Sequence, residues 1–491
     1  MGTLDFIRPI LHFLPEVGTP QRPPGLTEKL MWTGIALAIF FIMYNVVAVG
    51  VKPSVSSSDF LQVVTASKIG SLITVGIGPI VLASIFLQLF AGAKIINVDM
   101  NDPEEKRTFQ GAQKLLAIIL CFFEAAVFVI FARLVIVDNP LFGSVAITQA
   151  IIILQIALGS LVLLYLDEVV SKFGVGSGIS LFIAAGVSFA IIGGTVALFT
   201  GSGGVFESLS SGSAEALPNA IMAMLPLVFT IIVFLVVSYA EGVVIEIPLA
   251  FDRASLRHSF PIKFLYVSNI PVILASALLL NVHFFAIGLQ NQHLCMGGQL
   301  DLASPDLNKC VGGTDLVQAL AFVDSGNNIR DGLFYLISPI YRPLQGNYGA
   351  YFGQLLTSTT PIFGIPEWFH VVFYIIFLMA LCVVFGQFWI ETTPMSAKDV
   401  AEQLDNAGLT RPGFRSDPRM TEKILNKYIP YIVVLGSAFV GLLAALADLT
   451  GALGTGTGIL LTVGILYRLY QDLEQQRLFD SYYSLGGLFG K

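Results

Sequence analysis

Hydrophobic positions in this chain fall in long, nearly unbroken runs, not in the alternating or striped patterns of a water-soluble core. A helix needs about 20 mostly apolar residues to cross a hydrocarbon layer of roughly 30 Å. Ten segments qualify: 30–49, 78–96, 115–136, 145–166, 176–200, 218–247, 262–284, 368–390, 430–449 and the shorter 455–470. They predict an all-α membrane protein of ten spanning helices. Ten divides into five plus five, and pores and transporters often pack two inverted halves together. No residue-level repeat between the halves is visible in the sequence.

Lys and Arg concentrate on the inner side of membrane proteins. With the N-terminus inside, 20 of the 26 basic residues lie on inner segments, and an even number of spans brings the C-terminus inside as well. The predicted organisation is an inner segment 1–29, a five-helix half 30–200, an outer linker 201–217, a second half 218–470 and an inner tail 471–491. The second half carries a polar outer segment, 285–367, and an inner segment, 391–429. Five prolines in 1–29 argue against a cleaved leader, so the first apolar run is expected to stay as a span.

Composition agrees. Hydrophobic residues make up 55% of the chain and charged residues 12%, about half the roughly 25% charge of a soluble domain. A soluble fold and a disordered chain are both excluded. The net charge of −7, from 33 acids against 26 bases, suits a saline milieu or ordinary drift in composition. Cys121 and Cys382 lie inside apolar runs and read as small core residues. Cys295 and Cys310 share the outer segment, where an oxidising exterior allows a disulfide but does not demand one.

The stretch "VTASKIGSLITV", residues 64–75, is too short to span, and Gly76, Gly78 and Pro79 break it from the next run. It is either a re-entrant element inside a pore or an interfacial helix on the outer surface. "GVGSGI" and "GALGTGTGI" precede apolar spans. Lacking the strand that a nucleotide-binding turn requires, they read as close helix packing. Charge within the spans is sparse: Glu124, Glu241, Glu246 and Asp448, with Asp167, Glu168, Glu391 and Arg468 at the ends. No metal-ligand spacing, phosphate-binding loop or nucleophile motif appears, so no catalytic residue, metal or cofactor is assigned and the chain is not read as an enzyme.

Several long stretches resemble the SecY family, the large subunits of Sec protein translocons, in its archaeal form. They include "TASKIGSLITVGIGPIV", "YLDEVVSKFGVGSGISLFIAAGVS", "PIKFLYVSNIPVILASAL" and "SAFVGLLAALADLTGALGTGTGILLTVGILYRLY", and the resemblance runs from about Glu28 to Leu473. It implies two pseudo-symmetric five-helix halves around a central pore, with a re-entrant plug helix. The implied function is a protein-conducting channel in the plasma membrane, passing unfolded secretory chains across and releasing membrane segments sideways into lipid. The competing class is a secondary transporter of a small solute, which would need converging polar groups at the midplane.

By matching motif, the resemblance implies a pore ring of Ile77, Val81, Ile179, Ile183, Ile273 and Leu461, and a plug including Val64, Thr65, Ala66, Ser67, Lys68, Ile69, Gly70, Ser71 and Leu72. A ring of apolar side chains dewets and blocks ions. Glu124 and Asn269 are implied in a polar lateral gate, although Leu82 stands where the family often has Thr. Arg253, Arg257, Arg411 and Arg415 are implied in ribosome docking. The implied partners are the SecE (gamma) and small beta subunits, the ribosome, signal sequences and nascent chains, membrane lipid and a second copy of the channel.

Overall fold

The computed structural model describes residues 8–11, 14–22, 24–51, 66–92, 95–96, 102–130, 144–201, 204–210, 216–248, 259–289, 295–296, 299–300, 310–311, 314–323, 329–340, 348–393, 395–406 and 418–489. Ten long helices carry the chain. They are α1 (Leu26–Asn45), α2 (Gly78–Gly92), α3 (Pro103–Ile130), α4 (Val145–Phe173), α5 (Gly178–Thr200), α6 (Ala216–Gly242), α7 (Ile270–Leu289), α8 (Glu367–Thr392), α9 (Pro418–Thr450) and α10 (Gly456–Phe489). Each falls on one of the ten apolar runs. Among the described residues, seven helices are long and apolar enough to cross a membrane by those criteria alone, and two shorter apolar helices lie at Gly78–Ala91 and Ile270–His283.

The ends differ from the expected ones. The runs 218–247 and 262–284 include residues that are not helical: α6 stops at Gly242, and β1 (Val244–Pro248) pairs antiparallel with β2 (Ser259–Lys263) before α7 begins. Val244, Ile245 and Ile247 are β-branched and favour extended backbone, and Pro248 and Pro261 disfavour helix there. Hydropathy sees only that these residues are apolar. At the other extreme, α10 continues far past residue 470 into the expected tail, because its polar continuation contains helix formers and no proline. The expected outer linker contains a short helix, Val205–Ser210.

A repeat invisible in the sequence emerges at two turns. Asp167, near the end of α4, accepts a hydrogen bond on Oδ1 from the N–H of Ile179 at the start of α5, 2.9 Å away. Asp448, near the end of α9, accepts from the N–H of Thr457 at the start of α10 (3.1 Å) and from the Thr457 hydroxyl (2.8 Å). The fourth helix of each half thus caps the fifth through an aspartate. Both turns pass through glycines at positive φ, Gly176 in the first and Gly451 and Gly454 in the second. The repeat escapes sequence comparison because the capped residue lies twelve positions after Asp167 but nine after Asp448.

The main hydrophobic core draws on all ten helices, from Ala36 and Phe40 in α1 to Leu460 and Ile465 in α10. The halves meet along two seams: α2 packs against α7 and α8, and α5 packs against α10. Large apolar residues such as Ile42, Leu235, Ile376 and Leu435 stay exposed on the outside of the bundle, the surface that lipid covers.

Replacing Asp448 with Ala leaves the buried Thr457 N–H and hydroxyl without their acceptor, at a cost of about 1–3 kcal/mol. The expected result is a lower midpoint of thermal unfolding in detergent, whereas an unchanged midpoint shows that the α9–α10 tie is energetically idle.

Candidate pore and its inner platform

The six ring candidates come from four helices and one turn, and each pair is held by an identifiable backbone contact. Ile77 closes the turn before α2, and its carbonyl accepts from the N–H of Val81 at 3.1 Å, which places the two one helical turn apart. Ile179 opens α5 on the Asp167 cap, and Ile183 follows one turn later. The N–H of Ile273 donates to the carbonyl of Asn269 at 3.1 Å. The Asn269 amide in turn donates to the carbonyl of Leu460, beside Leu461, at 2.9 Å. Ile77, Val81, Ile183 and Leu461 are buried in one continuous apolar cluster, and Ile179 and Ile273 pack partly buried against it.

Of the plug candidates, Val64 and Thr65 lie outside the described residues. From Ala66 to Ile77 the chain runs in turns and bends, where a short helix over 64–75 was expected. Local side-chain bonds explain this, since Ser and Thr side chains offer the backbone an alternative to helix. Ser71 Oγ donates to the Lys68 carbonyl (2.7 Å) and accepts from the Ile73 N–H (3.2 Å), while Thr74 Oγ1 accepts from the Gly70 N–H (3.1 Å). The N–H of Leu72 donates to the carbonyl of Val46, and the N–H of Ala48 to the carbonyl of Gly70, fastening the segment to the end of α1. Lys68 is exposed, its ammonium 5.6 Å from the Tyr44 ring centre.

Two glycines on neighbouring helices seat this segment. A Cβ on Gly159 of α4 would lie 2.0 Å from the Leu72 carbonyl oxygen, and one on Gly186 of α5 would lie 3.3 Å from the Ala66 Cα. Only the absence of a side chain at Gly159 permits so close an approach of backbone to backbone. Sequence reading passed over both glycines because each sits inside an ordinary apolar span.

No hydrogen bond joins the expected gate pair. Glu124 is buried on α3 with Oε1 lacking a hydrogen-bond partner. Asn269 is buried too, with Oδ1 unpartnered and its amide N–H donating to α10. Gly464 makes room for this approach: a Cβ there would lie 1.8 Å from Asn269 Nδ2 and 2.8 Å from Glu241 Oε1. Asn269 therefore ties α7 to α10 within one half, and no hydrogen bond joins it to Glu124. Leu82, the departure noted above, is buried.

Arg253, Arg257, Arg411 and Arg415 lie outside the described residues, but the elements that carry them are described. Ile247 and Ile262 of the β1–β2 hairpin, Ala397, Ala401 and Leu404 of the short helix Ala397–Asn406, and Leu425, Ile429 and Val433 of α9 share one apolar cluster. The hairpin tip (249–258) and the connection 407–417 thus spring from a single platform. The Tyr266 hydroxyl donates to the carbonyl of Met395 at 2.9 Å across it. Burial, reinforced by the Asp399 charge, pushes the Tyr266 phenol up to about 12, so it remains a neutral donor. Elsewhere, Lys114 binds Glu168 (2.8 Å) and the Pro15 carbonyl (2.6 Å), and Lys172 binds Glu168 and the Val17 carbonyl. These two lysines fasten the N-terminal segment to α3 and α4.

Strands Cys295–Met296 and Gln299–Leu300 pair antiparallel with Thr314–Asp315 and Cys310–Val311 in one common register, so Cys295 stands opposite Asp315 and Cys310 opposite Leu300. The cysteine side chains themselves lie outside what is described. Cys121 and Cys382 are buried and free, as expected of core residues.

Replacing Gly159 with Val should force the Leu72 carbonyl out of its seat and destabilise the described arrangement by about 1–3 kcal/mol. Hydrogen exchange at 70–75 reads this directly: faster exchange there, with α4 still protected, is the expected outcome, and unchanged exchange overturns the seat.

Comparison with known proteins follows this geometry. The SecY family model matches residues 71–470. The protein translocase subunit SecY of Methanococcus vannielii is 39% identical over 488 residues, covering 99% of each chain. One similar solved structure concerns the plug domain of a SecY protein, which stabilises the closed translocation channel and maintains a membrane seal. It is 38% identical with a TM-score of 0.73, covering 96% of this chain and 97% of that one. Another, Sec61 in the canine ribosome–channel complex from the endoplasmic reticulum, has the same identity, coverage and TM-score. With a family model matching residues 71–470 and a relative 39% identical over the whole chain, the chain belongs to the SecY family.

Proposed function

We propose that this chain forms the pore of a protein-conducting channel, moving unfolded polypeptides across the membrane and releasing apolar segments into lipid. The observation that carries the reading is the relation of the chain over its whole length to translocase subunits; membership of Ile77, Val81, Ile183 and Leu461 in the main apolar core, with Ile179 and Ile273 packed against it, supports the ring. A constriction of this kind excludes ions by dewetting and offers no hydrogen bond or charge to prefer one passing sequence over another. Its work is conduction, with no covalent step, and the driving energy comes from a partner.

Residues 64–72 are assigned as the plug, supported by the seat of Ala66 and Leu72 on Gly186 and Gly159 and by the bonds of Gly70 and Leu72 to the end of α1. The turns at 73–77 are its link to α2. The seam of α2 with α7 and α8 is the sideways exit, supported by direct packing of those helices. Glu124 lines it from α3. Asn269 serves it indirectly, by fixing the start of α7.

The membrane is assigned as the plasma membrane with both termini cytoplasmic, on the 20-of-26 charge bias. Arg253, Arg257, Arg411 and Arg415 are assigned to ribosome docking, supported by the shared apolar cluster of the elements that flank their segments and by the way arginine clusters grip RNA phosphate through forked hydrogen bonds. Small SecE and beta subunits, signal sequences, nascent chains and a second copy of the channel complete the proposed partners. A disulfide between Cys295 and Cys310 is proposed for the outer segment, facing an oxidising exterior.

Replacing Ile179 and Ile273 together with Asn should hydrate the constriction, and reconstituted channels should then pass more resting ion current than wild type. Equal currents would remove both residues from the ring. Reversing charge at Arg411 and Arg415 should weaken ribosome binding several-fold without unfolding the protein, and wild-type binding should itself decline with added salt. Unaltered affinity of the double variant in a sedimentation assay argues against docking through that loop.

A further inference from the structure

The outer segment between α7 and α8 was expected to be polar, yet its last part is not. Residues 343–366 contain no Asp, Glu, Lys or Arg. They end in a tight hairpin that leads straight into α8, with Thr359 paired to Pro366. Its tip, Pro361, Ile362, Phe363 and Gly364, is exposed along its whole length. Phe363 is 52% exposed, and nearby Leu356 and Trp368 are 74% and 51% exposed. Four consecutive exposed apolar residues are unfavourable in water and call for a covering surface.

The backbone of the tip is prepared for that surface. Asp331, fully buried, accepts on Oδ2 from the N–H groups of Ile362 (2.6 Å) and Phe363 (2.9 Å), and on Oδ1 from that of Gly332 (2.8 Å). The Gly364 N–H donates to the Thr360 carbonyl, the Ile365 N–H to Thr360 Oγ1 and the Glu367 N–H to the Ser358 carbonyl. Thr360 itself donates to the Ile365 carbonyl. Pro361 and Pro366 have no N–H to satisfy. Every N–H from Thr360 to Glu367 is therefore satisfied inside the protein. A loop facing water has no need of this, since solvent satisfies exposed donors. A loop entering lipid does need it.

The exposed face is continuous with a lipid face. Phe369, Val372, Phe373 and Ile376 are exposed along α8 at helical spacing and begin where the hairpin ends. Trp368 and Phe369 stand at the mouth of the span, where aromatic residues gather at membrane interfaces. From the uncharged segment, the satisfied N–H groups and this continuity, we propose that the hairpin Ser358–Glu367 inserts its Ile362–Phe363 tip into the outer leaflet and anchors the outer end of α8. The anchor bears on the sideways exit, because α8 is one of the two helices that α2 packs against. The proposal rests on reading α8 as a spanning helix and deepens that reading.

The test uses the full chain in liposomes of phosphatidylglycerol and phosphatidylcholine, with a photoreactive benzophenone amino acid installed at Phe363 or, as a control, at Ile376 in mid-α8. Mass spectrometry after illumination identifies what each position touches. Lipid adducts at both positions are expected. With the benzophenone moved to Leu356, introducing Ile362→Asp and Phe363→Asp should abolish the lipid adduct formed there. Lipid adducts at Ile376 but none at Phe363 overturn the anchor and leave the spanning helix intact. A peptide adduct at Phe363 in place of lipid also overturns it and shows a protein covering the tip. Absence of lipid at both positions refutes the spanning assignment of α8 itself.

Discussion

Backbone N–H and C=O groups that sit out of reach of water must find partners within the protein, and the working parts of this channel are held by that requirement. A spanning helix satisfies its own interior but leaves donors free at its first turn. Where a helix starts inside the bundle, a neighbouring side chain or carbonyl must answer. Asp167 answers for α5 and Asp448 for α10. The Asn269 side chain supplies a donor to the Leu460 carbonyl. The positions proposed for the ring sit beside these ties: Ile179 is itself the residue capped by Asp167, Ile273 lies one turn from Asn269, and Leu461 follows Leu460. An aliphatic ring has no directional bonds of its own, so the alignment of the proposed one is borrowed from the polar contacts around it.

Glycine has the complementary role. Gly159 admits the Leu72 carbonyl and Gly464 admits the Asn269 amide, each at a distance that a methyl group would block. Both contacts join rigid helices to the places where a channel has to change shape. The segment 66–77 is held by backbone bonds to α1 and by a close seat on α4, and it buries Ile73 and Ile77 in the main core.

Polar contacts tie down segments that would otherwise be exposed. Lys114 and Lys172 fasten the N-terminal segment through Glu168 and backbone carbonyls. The elements that flank 249–258 and 407–417 share an apolar cluster of their own. Between α7 and α8, buried Asp331 accepts from the N–H groups of Ile362 and Phe363, whose side chains are exposed.

Hydropathy alone determined that this is a ten-span helical membrane protein, since runs of about 20 apolar residues have few other uses. The glycine breaks marked the re-entrant segment, and the resemblance of motifs supplied the six ring positions, which no periodicity could have singled out among so many aliphatic residues. The tertiary structure decided what depends on contact between distant residues. It turned β1 and β2 out of two apparent spans, because apolar content does not separate strand from helix. It replaced a short helix by turns at 66–77, because Ser71 and Thr74 bond locally. It tied Asn269 to α10, because Gly464 leaves room for the Asn269 amide. Sequence records which residues are available, but a vacancy such as Gly159 or Gly464 acquires meaning only from the atom that fills it.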